Sequence, residues 1–246
     1  MDPVVLLHSP LTSATAWGRL PQVLRTRGLD VVVPEVLDDD EPPYAGRYVG
    51  RAAVQLRAIL GSSRSVLVAH SGAGGLMPQL GLARQAAGGP VSGYVFLDAG
   101  LPRVLNAATR LELMQLEDPT FADQLESSLR QGARYPDWSD ADLRQVIPDD
   151  GDRTMLLAGL RPRSLDYFTE PLPLPDDWPD AAAGYVQLSA AYAQPAATAR
   201  RKGWPVVTRE SHHFAALTDP DLVADGLFEL FAELWGDPSG IAAPSI

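Results

Sequence analysis

Few residues in this chain can do chemistry. None of its 246 residues is cysteine, which removes thiolate nucleophiles, disulfides and thiolate metal sites together. The four histidines are His8, His70, His212 and His213. Any chemistry that needs imidazole must use one of them. One serine stands where it could be activated. In Val66-Leu67-Val68-Ala69-His70-Ser71-Gly72-Ala73-Gly74-Gly75 an apolar run reaches Ser71 and passes at once into small residues. That is the pattern of a strand turning sharply into a helix with the serine at the bend. The turn is strained at its centre, so its neighbours must be small, and Ala69, Gly72, Ala73 and Gly74 meet that need. The Gly72 N–H, at the helix start, would point at a developing oxyanion, where the helix dipole also helps. The competing reading is a Gly-rich turn of a nucleotide-binding fold. Neither G-x-G-x-x-G nor G-K-S/T occurs here.

The elements that must position Ser71 can be read from apolar periodicity. Short apolar runs bounded by turn residues predict buried strands at Val4–His8, Asp30–Pro34, Ser65–Ala69 and Val91–Leu97. Between them, Ser13 or Thr15 caps a helix to about Arg27, Tyr44–Leu60 has helical spacing, and a third helix runs from about Gly72 to Ala87. Strand character returns at Tyr185–Leu188 and Pro205–Arg209, and Asp219-Pro220 opens a final helix, Asp221–Trp235. Alternating strands and helices predict an α/β fold with a mostly parallel, doubly wound sheet of about six strands and helices on both faces. Residues 103–180 break the alternation. They read as a helical lid inserted after the fourth strand, tethered by the prolines at 171, 173, 175 and 179. The expected organisation is a core of 1–102 and 181–236, the insertion at 103–180, and a frayed tail at 237–246.

The elbow at Ser71 resembles that of the α/β-hydrolase family, and the resemblance extends from Val4 to Trp235. Ala69 stands where the G-x-S-x-G pattern has its first glycine, and Ala73 follows the serine by two. The resemblance implies a nucleophilic Ser71 and a base in the loop before the last helix. There the chain reads Ser211-His212-His213-Phe214, and by register His213 is the base, with His212 the alternative if the loop shifts by one. Most members place the acid after the strand that follows the insertion. That register falls near Ala191, and no carboxylate lies between Ala181 and Arg209. Some members carry the acid one strand earlier. Asp98, in Phe96-Leu97-Asp98-Ala99-Gly100, is the candidate there, with Glu210 a poorer one on the last strand. His8-Ser9-Pro10-Leu11, with Trp17 further on, resembles the family's His-Gly oxyanion loop. Pro10 stands where the second backbone donor is expected and has no N–H. Leu11 N–H, or a hydroxyl of Ser9 or Thr12, is the alternative, unless the loop is displaced by one residue. Candidate substrate-contacting residues are His70, Pro10, Trp138 and Tyr192. Tyr167, Phe168 and Trp178 share with Trp138 the choice between pocket wall and packing inside the insertion.

The bulk numbers narrow the class. Hydrophobic residues make up 46% of the chain, enough for a sizeable core. A formal net charge of −11 argues against nucleic acid, because binding phosphates requires Lys and Arg to displace counterions. The dense acidic run Asp38-Asp39-Asp40-Glu41 reads as a solvated loop. With no long apolar run and no basic, small-residue leader at Met1, the expectation is a cytoplasmic protein that does not insert in a membrane. No cofactor or metal is implied. The expected partner is a small-molecule substrate, with a homodimer left open. The leading functional expectation is a serine hydrolase for a small or medium-sized ester, thioester or lactone. Two others stand beside it: a lyase or cyclase using Ser71 and His213 for proton transfer, and a receptor-like ligand-binding protein.

Overall fold

Near-continuous apolar runs form β1 (Val4–Leu7), β2 (Val31–Val32), β3 (Ser65–Ser71) and β4 (Val91–Ala99). After an antiparallel pair of two-residue strands, β5 (Ala108–Thr109) and β6 (Pro171–Leu172), the chain adds β7 (Ala182–Gln187) and β8 (Val206–Thr208). A computed structural model of the chain describes residues 1–37, 39–102 and 108–236. Asp38, the start of the expected insertion at 103–107 and the tail at 237–246 lie outside them. The other six strands form one all-parallel sheet in the order β2-β1-β3-β4-β7-β8.

Burial on both faces explains why these strands are apolar at nearly every position. Val5, Leu7, Leu67, Tyr94, Phe96 and Tyr185 face one core, with α2 (Tyr44–Leu60), α3 (Met77–Ala86) and α9 (Ala193–Arg201). Val4, Leu6, Val66, Val68, Val95, Leu97 and Val186 face the other, with α1 (Leu20–Thr26) and α11 (Pro220–Trp235). Each fully buried Leu, Val or Phe side chain contributes roughly 1.5–3 kcal/mol relative to exposure. Between β5 and β6 run α4 (Arg110–Glu117), α5 (Pro119–Arg130), α6 (Asp140–Leu143), α7 (Asp150–Ala158) and α8 (Leu165–Thr169). Asp118 and Ser139 cap α5 and α6, and Thr109 makes a capping box with Glu112 at α4. α4, α5 and α8 share one apolar cluster with Tyr44 of α2. A second cluster joins α6 and α7 to Ala16 and to Leu217 of α10 (Ala215–Thr218).

Several boundaries differ from the sequence reading. The first expected helix is two pieces: Ser13 caps a 3-10 turn, Ala14–Trp17, and Gly18 breaks it at φ 48° against Leu217. The third begins with a 3-10 turn at Gly74–Leu76 before α3. β8 ends at Thr208, so Glu210 is off the strand. The proline-rich stretch is more than a tether. It contains β6, and Trp178 packs on Tyr94, Phe96 and Trp204 in the main core, neither in the insertion nor on a pocket wall. No helix among the described residues is long and apolar enough to cross a membrane.

Candidate active site

The site is built on the carboxyl ends of β3 and β4, two neighbouring strands. β3 ends at Ser71, whose φ is 56°. A side chain rarely adopts that conformation, which the sharp turn from strand into helix imposes on Ser71. Packing explains the small residues that follow. A Cβ at Gly74 would stand 2.1 Å from the Gly100 carbonyl oxygen, and one at Gly75 would stand 2.9 Å from Leu172.

β4 does not stop at Leu97 as its apolar run implied; it continues through Asp98 to Ala99. His70 pairs with Leu97 and Ser71 pairs with Ala99, so Asp98 is an extra residue in the ladder. It is a β-bulge with φ 43°, and such bulges re-aim a side chain. Beyond the bulge the Tyr185 hydroxyl accepts from Ala99 N at 3.0 Å and donates to Ala99 O at 2.8 Å, which satisfies both backbone groups at the strand end.

The re-aimed carboxylate is fully buried and accepts four hydrogen bonds. Oδ1 takes Leu188 N at 2.8 Å and Ser189 N at 3.0 Å. Oδ2 takes Ser189 Oγ at 2.6 Å and His213 Nδ1 at 2.9 Å. Burial pushes this carboxyl up. The His213 hydrogen bond and charge and the Ser189 donors outweigh burial and hold it below the ordinary carboxylate range.

His213 lies between two rings. His70 stacks on it with centroids 4.5 Å apart, and Tyr192 stacks with centroids 4.9 Å apart. The ring Nε2 of His70 also lies 3.0 Å from His213 O, where its N–H can donate. Burial, with the neighbouring His213 charge, pushes His70 far below its ordinary value and keeps it neutral. His212 faces away, with Nδ1 accepting from Phe214 N and Nε2 3.2 Å from Thr218 Oγ1. His8 is buried beneath the loop: its Nε2 accepts from Val36 N at 3.1 Å, which leaves Nδ1–H to donate to Ser9 O at 2.8 Å.

Above these groups lies a mainly apolar cavity of about 320 Å³, lined among others by Ser71, His70, His213, Tyr192, Trp138, Phe121 and Phe214. A smaller one of about 70 Å³ adjoins it between Gly72, Gly75, Gly100, Tyr167 and Phe168. Both contain Ser71, Leu11, Met114, Glu117 and Tyr192. Among the described residues the hydrogen-bond partner of Ser71 Oγ is the Tyr192 hydroxyl at 3.4 Å, not His213. Leu11 N–H points at Ser9 Oγ, 3.3 Å away. Pro10, expected to touch substrate, lines neither cavity; its carbonyl accepts from Arg163 at 3.2 Å. Sequence reasoning missed Glu117. Its carboxyl faces the cavities one helical turn after Met114, and that i, i+3 spacing along the apolar face of α4 was the available signal. Burial, reinforced by Asp98, pushes Glu117 up to about 8. Among the described residues no group of three or more His, Asp or Glu side chains could hold a metal ion.

The model of the alpha/beta hydrolase family matches residues 4–226. No curated protein matches the chain. Among solved structures, an extracellular alpha/beta-hydrolase from a Paenibacillus species superposes with a TM-score of 0.71 at 15% identity, over 95% of this chain and 99% of that one. Tomato methylketone synthase I, complexed with 2-tridecanone, gives 0.68 at 16% identity over 95% and 98%. A pyrethroid hydrolase from Sphingobium faniae gives 0.64 at 18% identity over 94% and 97%. At these identities the likeness is one of fold.

Proposed function

Because the chain belongs to the alpha/beta hydrolase family, we propose that it is a serine hydrolase that cleaves a small or medium-sized ester, thioester or lactone through an acyl-enzyme on Ser71. The observation that carries this reading is the Asp98–His213 pair, hydrogen-bonded at 2.9 Å and opening on the same cavity as an elbow serine. Asp98 accepts from Nδ1–H and so leaves the Nε2 lone pair of His213 as the base. Ser71 attacks the carbonyl carbon, its proton passes to Nε2, and the carbonyl electrons move onto oxygen, which the Gly72 N–H stabilises. Collapse expels the leaving oxygen or sulfur with the proton from His213, and water repeats the sequence to release the acid. Ser71 Oγ must turn from Tyr192 towards His213 for this, and such hydrogen bonds commonly tighten only when substrate is bound. The apolar walls favour an apolar substrate body. In this reading the helices between β5 and β6 act as a lid.

The contact between Ser71 and Tyr192 favours one other reading, a proton-transfer lyase on the same scaffold. Fluorophosphonate labelling combined with a panel of p-nitrophenyl esters separates the two. Hydrolysis requires stoichiometric labelling and ester turnover, with both lost in Ser71→Ala. Labelling without turnover of any ester, thioester or lactone would leave the lyase, and no labelling would remove the serine nucleophile altogether.

A further inference from the structure

We propose that the Tyr192 hydroxyl is the second hydrogen-bond donor to the oxyanion, taking the place of the backbone N–H that Pro10 lacks. The inference rests on the serine-hydrolase reading of Ser71. A tetrahedral intermediate needs donors about 2.7–3.1 Å from its oxyanion, and loss of one typically costs about 100- to 1,000-fold in rate. Gly72 N–H supplies one. Proline at position 10 cannot supply the other, and Leu11 N–H is directed at Ser9 Oγ.

Tyr192 occupies the gap. Its hydroxyl is 3.4 Å from Ser71 Oγ, and it lines both cavities that meet at that serine. The oxyanion forms on the carbon bonded to Ser71 Oγ, two bonds from that atom. A donor at this distance from Oγ can therefore come within hydrogen-bond range of the oxyanion when that oxygen lies on the Tyr192 side of Ser71. When Ser71 turns towards His213, the Tyr192 hydroxyl loses its resting partner, and its O–H can rotate into the space where the oxyanion appears. Burial, with the nearby Glu117 and Asp98 charges, pushes the Tyr192 phenol well above its ordinary value, against the opposing Ser71 bond, so it remains a donor.

The position is fixed from below. Asp98 ties down Leu188 N, Ser189 N and Ser189 Oγ, the residues that lead into the 3-10 turn Ala190–Tyr192. The Tyr192 ring then lies 9° from parallel with the His213 ring. One carboxylate therefore sets both the base and the turn that carries the proposed donor, which is the preorganisation an oxyanion site requires.

Tyr192→Phe removes a single oxygen and keeps the stacked ring. The probes are p-nitrophenyl and alkyl esters of one acyl chain, a trifluoromethyl ketone that Ser71 can convert to a hemiketal oxyanion, and the matching secondary alcohol, which cannot add. The expected result is a fall in kcat of about 100-fold or more on both ester types, with KM within a few-fold. Ketone affinity falls by a similar factor, and alcohol affinity is unchanged. The proposal is overturned by wild-type kcat and ketone affinity in Tyr192→Phe. It is overturned equally by a loss confined to alkyl esters, which would put the hydroxyl at the leaving oxygen. Parallel weakening of ketone and alcohol would make Tyr192 a packing residue, and a loss in Ser9→Ala instead would make Ser9 the donor. Stoichiometric fluorophosphonate labelling in both proteins keeps the hydrolase reading standing in each of those cases, whereas an unlabelled wild type removes that reading itself.

Discussion

Replacing Asp98 by asparagine would test the base assignment at its root. The carboxylate accepts four hydrogen bonds, and two of the donors are backbone N–H groups that cannot reverse, Leu188 N and Ser189 N. Both converge on Oδ1. The amide oxygen of Asp98→Asn must therefore take that position, because an NH2 there would face two donors. The NH2 is left at the Oδ2 position, facing Ser189 Oγ and His213 Nδ1. Ser189 can rotate its hydroxyl and accept. His213 can accept only with Nδ1 bare, and a neutral imidazole with Nδ1 bare carries its proton on Nε2. The ring would keep its place and lose its function as base. The expected fall in kcat is about 1,000- to 10,000-fold, or about 4–5.5 kcal/mol in the barrier. Stability should fall by only about 1–3 kcal/mol, because the backbone donors stay satisfied. Steady-state kinetics on any ester the enzyme turns over gives kcat, and urea unfolding gives stability. A kcat within ten-fold of wild type, in a folded protein, would refute the idea that Asp98 sets the tautomer of His213.

Two further perturbations follow from the packing. Glu117 has a folded-state pKa of about 8 against an ordinary value of 4.5, so the folded protein holds a proton that the unfolded chain loses between these values. Wild-type stability relative to Glu117→Gln should therefore be fully present below about pH 4.5 and fall as pH rises to about 8, by several kcal/mol and at most about 5 for the full shift. A flat difference between their urea midpoints over that range would show that Glu117 is not held protonated. Gly74→Ala drives a methyl group into the Gly100 carbonyl, a rigid backbone atom, and should cost about 1–3 kcal/mol or more of stability. Because Gly100 lies two residues beyond Asp98, its kcat should fall too. Unchanged thermal unfolding and turnover would contradict the close approach of β3 and β4.

Much of the scaffold was legible in the sequence. Val66-Leu67-Val68 and Tyr94-Val95-Phe96-Leu97 are apolar at every position, as strands buried on both faces require, and their shortness between turn residues argues against buried helix. The rest was decided by contacts between residues distant in sequence. β4 runs on to Ala99 because Tyr185, on another strand, satisfies the backbone there. Gly18 breaks the first helix against Leu217, near the other end of the chain. β5 and β6 are two residues each, too short to leave a periodic signal. In the candidate site, chain order and family register single out Ser71, His213 and Asp98, and the structure brings the three together. The bulge that aims Asp98, the stacking of His213 and the approach of Tyr192 to Ser71 could not be read from either, because each depends on ladder register and ring orientation.

The pairing of Ala108–Thr109 with Pro171–Leu172 has a bearing on how such a molecule can diversify. The chain leaves this ladder and returns to it at facing residues, so the underlying sheet carries everything between as the tip of a hairpin. Lengthening a loop whose ends are already held together costs little, about 0.6 kcal/mol per doubling for a flexible chain. Insertions and drift in α4 through α8 can therefore reshape the space over Ser71 while the strand ends beneath keep their register. The shape of the space over Ser71 can change on one side of a two-residue clasp, and the placement of Asp98 and His213 can be inherited unaltered on the other.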